Sequence, residues 1–299
     1  MIPYCNLNGY LRNTYGARLN KICIDGGFTC PNRDGKCGTG GCVFCGERGA
    51  GDHIKGSVPI GTQVETYVKR FPGDVQFIAY FQNFTNTYAP VEELKKRYDA
   101  ALIDPRIRVL EIGTRPDCID EAVGELLESY DRERDVWVEL GLQTANDKTA
   151  KLINRGYTRE VFEKAVEILQ RHGLKTVVHL IVGLPGETFE DFKETIKYIN
   201  RFHLFGIKIH SLYVMKGTEL ERMYREGLFN PQTMDEYVDA VVYALLHLRP
   251  DMVIHRLKGD CPRDLLVAPE WNTARDEVLG RISKKLNDKG LRQGDLFGK

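Results

Sequence analysis

Lys21-Ile-Cys-Ile-Asp25 is an apolar run, and it leads within a few residues into Cys30-Pro-Asn-Arg-Asp-Gly-Lys-Cys37-Gly-Thr-Gly-Gly-Cys42-Val-Phe-Cys45. A strand followed at once by four clustered cysteines puts those cysteines on a loop at the carboxyl end of a sheet, the end that carries the active site in parallel α/β barrels. Glycines at 35, 38, 40 and 41 let the loop close tightly and bring backbone near a bound group, as thiolate ligation of an iron–sulfur cluster requires.

Outward from this loop, apolar runs alternate with longer amphipathic stretches, the pattern of βαβ units around a parallel sheet. The runs are Lys21 to Asp25, Val75 to Phe81, Arg108 to Ile112, Val136 to Leu142, Thr176 to Val182 and Ile207 to Tyr213. They predict an α/β fold, a partial TIM-type (β/α)6 barrel over residues 1–230, with a C-terminal helical extension at 231–299 packing on it. Thr62 with Glu65, and Thr233 with Glu236, match the capping box at a helix start. Glu160 to Arg171 carries a helical apolar stripe that ends at Gly173. Beyond the sixth run the pattern predicts a helix Thr233 to Leu248, a short run Met252 to His255, a loop with Pro262 and Pro269, and a charged helix ending near Lys289. Residues Arg292 to Lys299 read as a frayed tail.

Lys plus Arg and Asp plus Glu are each 42 in 299 residues. No global positive field announces a nucleic acid, so any such contact has to be a local patch. The first residues lack a basic start with an apolar segment behind it, and no apolar run reaches bilayer length, which predicts a cytoplasmic protein without membrane attachment. Eight cysteines in a long chain without a signal segment read as a metal or redox site rather than a disulfide framework. Cys5, Cys23, Cys118 and Cys261 are too scattered to complete a second cluster. Four clustered cysteines also suit tetrahedral zinc in a structural, non-enzymatic module. A zinc ribbon, however, pairs two Cys-x-x-Cys units, and here Cys42 and Cys45 form one such pair beside two widely spaced thiols.

A cysteine, a glycine-rich spacer and then Cys42-Val-Phe-Cys45 after a first strand resembles the radical SAM superfamily. The common Cys-x3-Cys-x2-Cys spacing is absent, since position 38 is Gly. The longer spacer is similar to that of the Elongator catalytic subunit and, over nearly the whole chain, to the YhcC-like group. The resemblance implies a [4Fe–4S] cluster on Cys30, Cys42 and Cys45 with S-adenosyl-L-methionine (SAM) at the fourth position, and leaves Cys37 as an extra thiol. Spacing alone leaves Cys37 as the alternative to Cys30. It further implies cofactor contacts from Phe44 and from the polar strand end at Gln82 and Asn83. Gln143 and Arg155 match contacts of oxygen-independent coproporphyrinogen oxidase, with Arg155 pairing the methionine carboxylate. His179 matches its ribose position, and Gly183 falls in Ile181-Val-Gly183-Leu-Pro185-Gly186-Glu187. Implied partners are an external electron donor such as flavodoxin or ferredoxin, and a substrate that is an RNA base in tRNA, met by local cations such as Arg249, Arg256, Lys258 and Arg263. Radical modification of a small metabolite is the alternative substrate reading.

Overall fold

A computed structural model describes residues 2–49 and 58–299. The chain runs α1 (Leu7–Tyr15), β1 (Asn20–Ile24), α2 (Ile60–Val68), β2 (Phe77–Phe81), α3 (Val91–Ala101), β3 (Ile107–Thr114), α4 (Glu121–Asp131), β4 (Asp135–Gln143), α5 (Asp147–Leu152), α6 (Arg159–Arg171), β5 (Lys175–Val182), α7 (Phe189–Ile199) and β6 (Gly206–Ser211). It continues with β7 (Val214–Met215), α8 (Glu219–Arg225), α9 (Met234–His247), β8 (Val253–Arg256), β9 (Leu266–Ala268) and α10 (Arg275–Asp288).

Strands pair in the order β1-β2-β3-β4-β5-β6-β8, every pairing parallel. This is the anticipated partial α/β barrel, with one addition. The short run near Met252 becomes β8 and supplies a seventh strand, so the C-terminal stretch contributes to the sheet as well as packing on it.

Side-chain alternation divides the sheet into two faces. Ile22, Ala79, Leu110, Val138, Val178 and Ile207 point outward into the main core, where they meet Val64, Leu94, Leu127, Phe162, Ile196 and Val241 from the surrounding helices. The inward face is different. Its lowest tier, Ile78, Val109 and Trp137, packs with Leu11 and Tyr10 of α1, and the Tyr10 ring meets Trp137 and Phe205 edge-on at 6.2 and 5.0 Å. The first helix therefore plugs the amino end of the lumen, a role the sequence did not suggest.

Of three local expectations, two differ from the structure and one is met. Helix α2 starts at Ile60 behind Pro59, whose fixed φ of −52° sets the first turn, so Thr62 lies inside the helix and forms no cap. The Thr233 and Glu236 box is present, with Glu236 N–H donating to Thr233 Oγ1 at 3.3 Å and Thr233 N–H to Glu236 Oε2 at 2.7 Å. The tail is not frayed: Gln293 is buried, accepts from Cys5 N–H at 2.9 Å, and donates to the carbonyls of Arg249 and Met252 at 2.8 Å each.

Candidate active site

The loop after β1 wraps around its own side chains. Cys30 carbonyl accepts from Arg33 N–H at 2.8 Å and from Asp34 N–H at 3.2 Å, forming the first turn, and Cys42 carbonyl accepts from Cys45 N–H at 2.9 Å, forming the second. Arg33 ties the turns together by donating from Nη2 to the carbonyls of Cys45 and Gly46 at 3.0 and 2.5 Å. Val43 holds the loop to the barrel, its N–H donating to Ile153 carbonyl and its carbonyl accepting from Leu220 N–H.

Cys30, Cys42 and Cys45 line one cavity together with Phe44, Gln82, Gln143, Arg155 and His179. Cys37 does not line it. It is exposed, with Sγ 3.6 Å from Arg115 Nη2 and 3.8 Å from Asp117 Oδ2. No disulfide forms among the described residues. Burial pushes the Cys42 thiol up to about 12, so metal binding there must displace a proton. Three thiols on a glycine-rich loop, facing one cavity at the carboxyl ends of the strands, form a donor set that fits an iron–sulfur cluster with one open iron.

Two predicted residues lie elsewhere. Asn83 turns away to donate to Asp25 Oδ2 at 3.2 Å. Gly183, with φ of +86°, faces Gln232 in a neighbouring cleft between the β5–α7 turn and α9. That cleft, at about 710 Å³, is larger than the cysteine cavity at about 180 Å³. The three clustered cysteines line the smaller one.

Arg155 reaches the cavity wall, but its guanidinium is already committed. It is fully buried, with Nη1 donating to the carbonyls of Leu142 and Thr144 at 2.7 Å each, Nε to Tyr157 carbonyl at 3.0 Å, and Nη2 to Asp147 Oδ1 at 3.3 Å. Its first task here is to clamp the end of β4. Gln143, at that end, adopts φ of +62° at a register shift between β4 and β5, a costly conformation that needs such a clamp. With its amide oriented to its surroundings, Gln143 donates to the carbonyls of Gly141 and Leu142 at 3.2 and 3.0 Å.

Above the apolar plug the lumen carries a charged tier that sequence reading left unassigned. Glu111 and Glu139 are wholly buried. Lys21 donates to Glu111 Oε1 at 2.6 Å, Lys208 pairs closely with Glu139 and stands 3.8 Å from Glu111, and Tyr80 hydroxyl donates to Glu139 at 2.7 Å. Donor atoms of Glu111, Glu139 and His255 lie within 4.8 Å of one another, a spacing that suits a divalent ion. In this chain the lysine ammonium groups supply that positive charge. Burial raises the Glu139 carboxyl, but Lys208 and then His179 hold it well below the usual range. Burial also brings Lys208 down to about 8 against the opposing pull of Glu139. His179 Nε2 sits 3.0 Å from Glu139 Oε2, and burial lowers its pKa against the opposing pull of Glu139. Tyr80, Glu139 and His179 all reach the cysteine cavity. An ionisable residue within each of the third, fourth and sixth apolar runs was the available signal.

The expected cationic patch is dispersed. Arg249 is held at the amino ends of the strands by Asp251 at 3.0 Å and by Leu204 carbonyl at 3.0 Å. Lys258 is buried and donates to Gly259 carbonyl at 2.7 Å and Asp260 at 3.1 Å. Arg256 and Arg263 remain exposed. No helix among the described residues is long and apolar enough to cross a membrane.

Comparison with known proteins agrees with this geometry. Residues 33–199 match the family described as the radical SAM superfamily, and residues 205–288 match the radical SAM C-terminal domain. YhcC of Escherichia coli is 35% identical over 292 residues, covering 97% of this chain and 94% of that protein. A tRNA uridine(34) acetyltransferase of Methanocaldococcus infernus is 26% identical over 310 residues, covering 86% of this chain and 55% of that protein. The solved structure of Elp3 from the same archaeon, lacking its N-terminus, superposes with a TM-score of 0.69 at 22% identity over 92% of this chain and 64% of that one.

Proposed function

The chain belongs to the radical SAM superfamily, an enzyme family that works with a [4Fe–4S] cluster and SAM, and from that premise we propose that it modifies a base in tRNA. A cluster held in the cysteine cavity would supply one-electron reduction of SAM, the radical-generating chemistry of the family. Cys30, Cys42 and Cys45 are the cluster ligands in this reading, supported by their shared cavity and by the separate, exposed environment of Cys37. Phe44, Gln82, Gln143 and His179 wall the space next to them, where SAM would lie. Arg155 shapes that wall through its hold on the end of β4. Asn83 and Gly183 act at one remove, bracing Asp25 and the β5–α7 turn. Radical SAM enzymes need an electron donor, and a flavodoxin or ferredoxin fits that role.

The tRNA reading rests on the 26% identity to the tRNA uridine(34) acetyltransferase, which extends over 86% of this chain. This chain spans only about half of that relative. The test is anaerobic reconstitution followed by 5′-deoxyadenosine release with bulk tRNA, with heparin as a polyanion control, and mass analysis of the tRNA nucleosides. Release stimulated by tRNA alone, with a new nucleoside mass, is expected. Release indifferent to tRNA and an unchanged nucleoside profile would exclude tRNA as the substrate.

A further inference from the structure

Asn32 is wholly buried beside the cysteine loop, and its amide joins the two segments that frame the cavity. Its Nδ2 donates to the Asn154 carbonyl at 2.6 Å and lies 3.9 Å from Cys42 Sγ, within hydrogen-bonding reach of a sulfur acceptor. Because a carbonyl can only accept, the amide nitrogen must be the atom on that side, and its second N–H is left for the sulfur. The oxygen end is equally constrained. A Cβ at Gly38 would stand 2.2 Å from Asn32 Oδ1, and one at Gly156 would stand 3.0 Å away. At Gly38 it is space, not a left-handed φ, that demands glycine. The Asn32 main chain joins in, its carbonyl accepting from Gly41 N–H at 2.9 Å, one residue before Cys42. Two glycines and a buried amide thus form one built device directed at one cysteine.

We propose that Asn32 is a positioning residue for the [4Fe–4S] cluster, its side-chain N–H donating to the Cys42 sulfur and raising the cluster's reduction potential while it ties the cysteine loop to the Asn154–Gly156 turn. A hydrogen bond to a ligating sulfur draws charge from the thiolate and favours the more negative, reduced cluster. The inference rests on Cys42 being a cluster ligand, as proposed above.

The experiment reconstitutes the full-length wild type and Asn32→Leu with iron and sulfide under anaerobic conditions, then measures iron per chain and the midpoint potential by EPR-monitored titration. Leucine keeps the branched outline of asparagine, adds no charge and removes the donor. Iron in the wild type establishes the underlying reading independently of Asn32, and its absence would end that reading. With iron retained in both proteins, a lower potential in Asn32→Leu is expected. An unchanged potential would overturn the role of Asn32 and leave the cluster assignment standing. If the variant loses its iron, wild type labelled with 15N at asparagine side chains decides the matter. Pulsed EPR of its reduced cluster is expected to show a 15N coupling, and no coupling would overturn the proposal.

Discussion

Arg155 and Lys208 are both buried cations, and they are satisfied in opposite ways. Arg155 uses the planar fork of guanidinium to hold three backbone carbonyls, which an ammonium cannot reproduce. Arg155→Lys should destabilise the fold by about 2–4 kcal/mol, read as a lower urea midpoint, and a midpoint equal to wild type would remove the clamp role. Lys208 instead neutralises a carboxylate. Lys208→Met leaves Glu139 buried without its partner and should cost about 3–5 kcal/mol, whereas the double variant Lys208→Met/Glu139→Gln should recover much of that loss. Equal destabilisation in single and double variants would show that the pair does not act as one. The cysteine cluster on a loop after the first strand was legible in the sequence, but spacing alone did not separate Cys30 from Cys37, which the fold places in the cavity and on the surface respectively. The charged tier was not legible, since strands buried on both faces read as continuous apolar runs, and nothing in the sequence marks Glu111, Glu139 and Lys208 as facing one another across the sheet. The commitment of Arg155 to local carbonyls was also invisible, because it depends on the positive φ at Gln143.

Element positions were read well where a strong local signal was present, the apolar stripe ending at Gly173 in α6 and the capping box in α9, and poorly where tertiary contacts decide, as in α1 and the start of α2. Thr233→Ala removes one partner of a reciprocal box and should lower stability by about 1 kcal/mol, measured by chemical denaturation. The junction of α4 and α6 adds a pH term. His172, just past α6, touches Glu128 at 2.7 Å and Glu121 at 3.2 Å on α4. Glu128 first, then Glu121, raise its pKa against a lowering by burial. A histidine whose folded value lies above its unfolded value contributes stability that is fully present below about pH 6.5 and is lost as pH rises through the folded value. Urea midpoints should therefore fall from pH 5.5 to 8.5 more in wild type than in His172→Gln. Parallel pH profiles would show that the contact carries no linkage.

Across the whole molecule, the outer core and the α1 plug fix the barrel, and the polar lumen is built inside that frame. The last strand comes from after residue 250, and the tail beyond α10 is tied into the chain start. Removing residues 292–299 deletes the Gln293 bonds to Cys5, Arg249 and Met252, so the truncated protein should melt at a lower temperature, by a few degrees, than the full chain. An unchanged melting temperature would mean those bonds add nothing. The same closure has a topological consequence. Gln293 N–H also donates to the Pro3 carbonyl at 2.9 Å, which brings both ends of the described chain to the amino-terminal rim of the barrel, across its long axis from the cysteine loop. A short linker can therefore splice those ends into a circular permutant, and a reporter fused there sits on the face turned away from the chemistry.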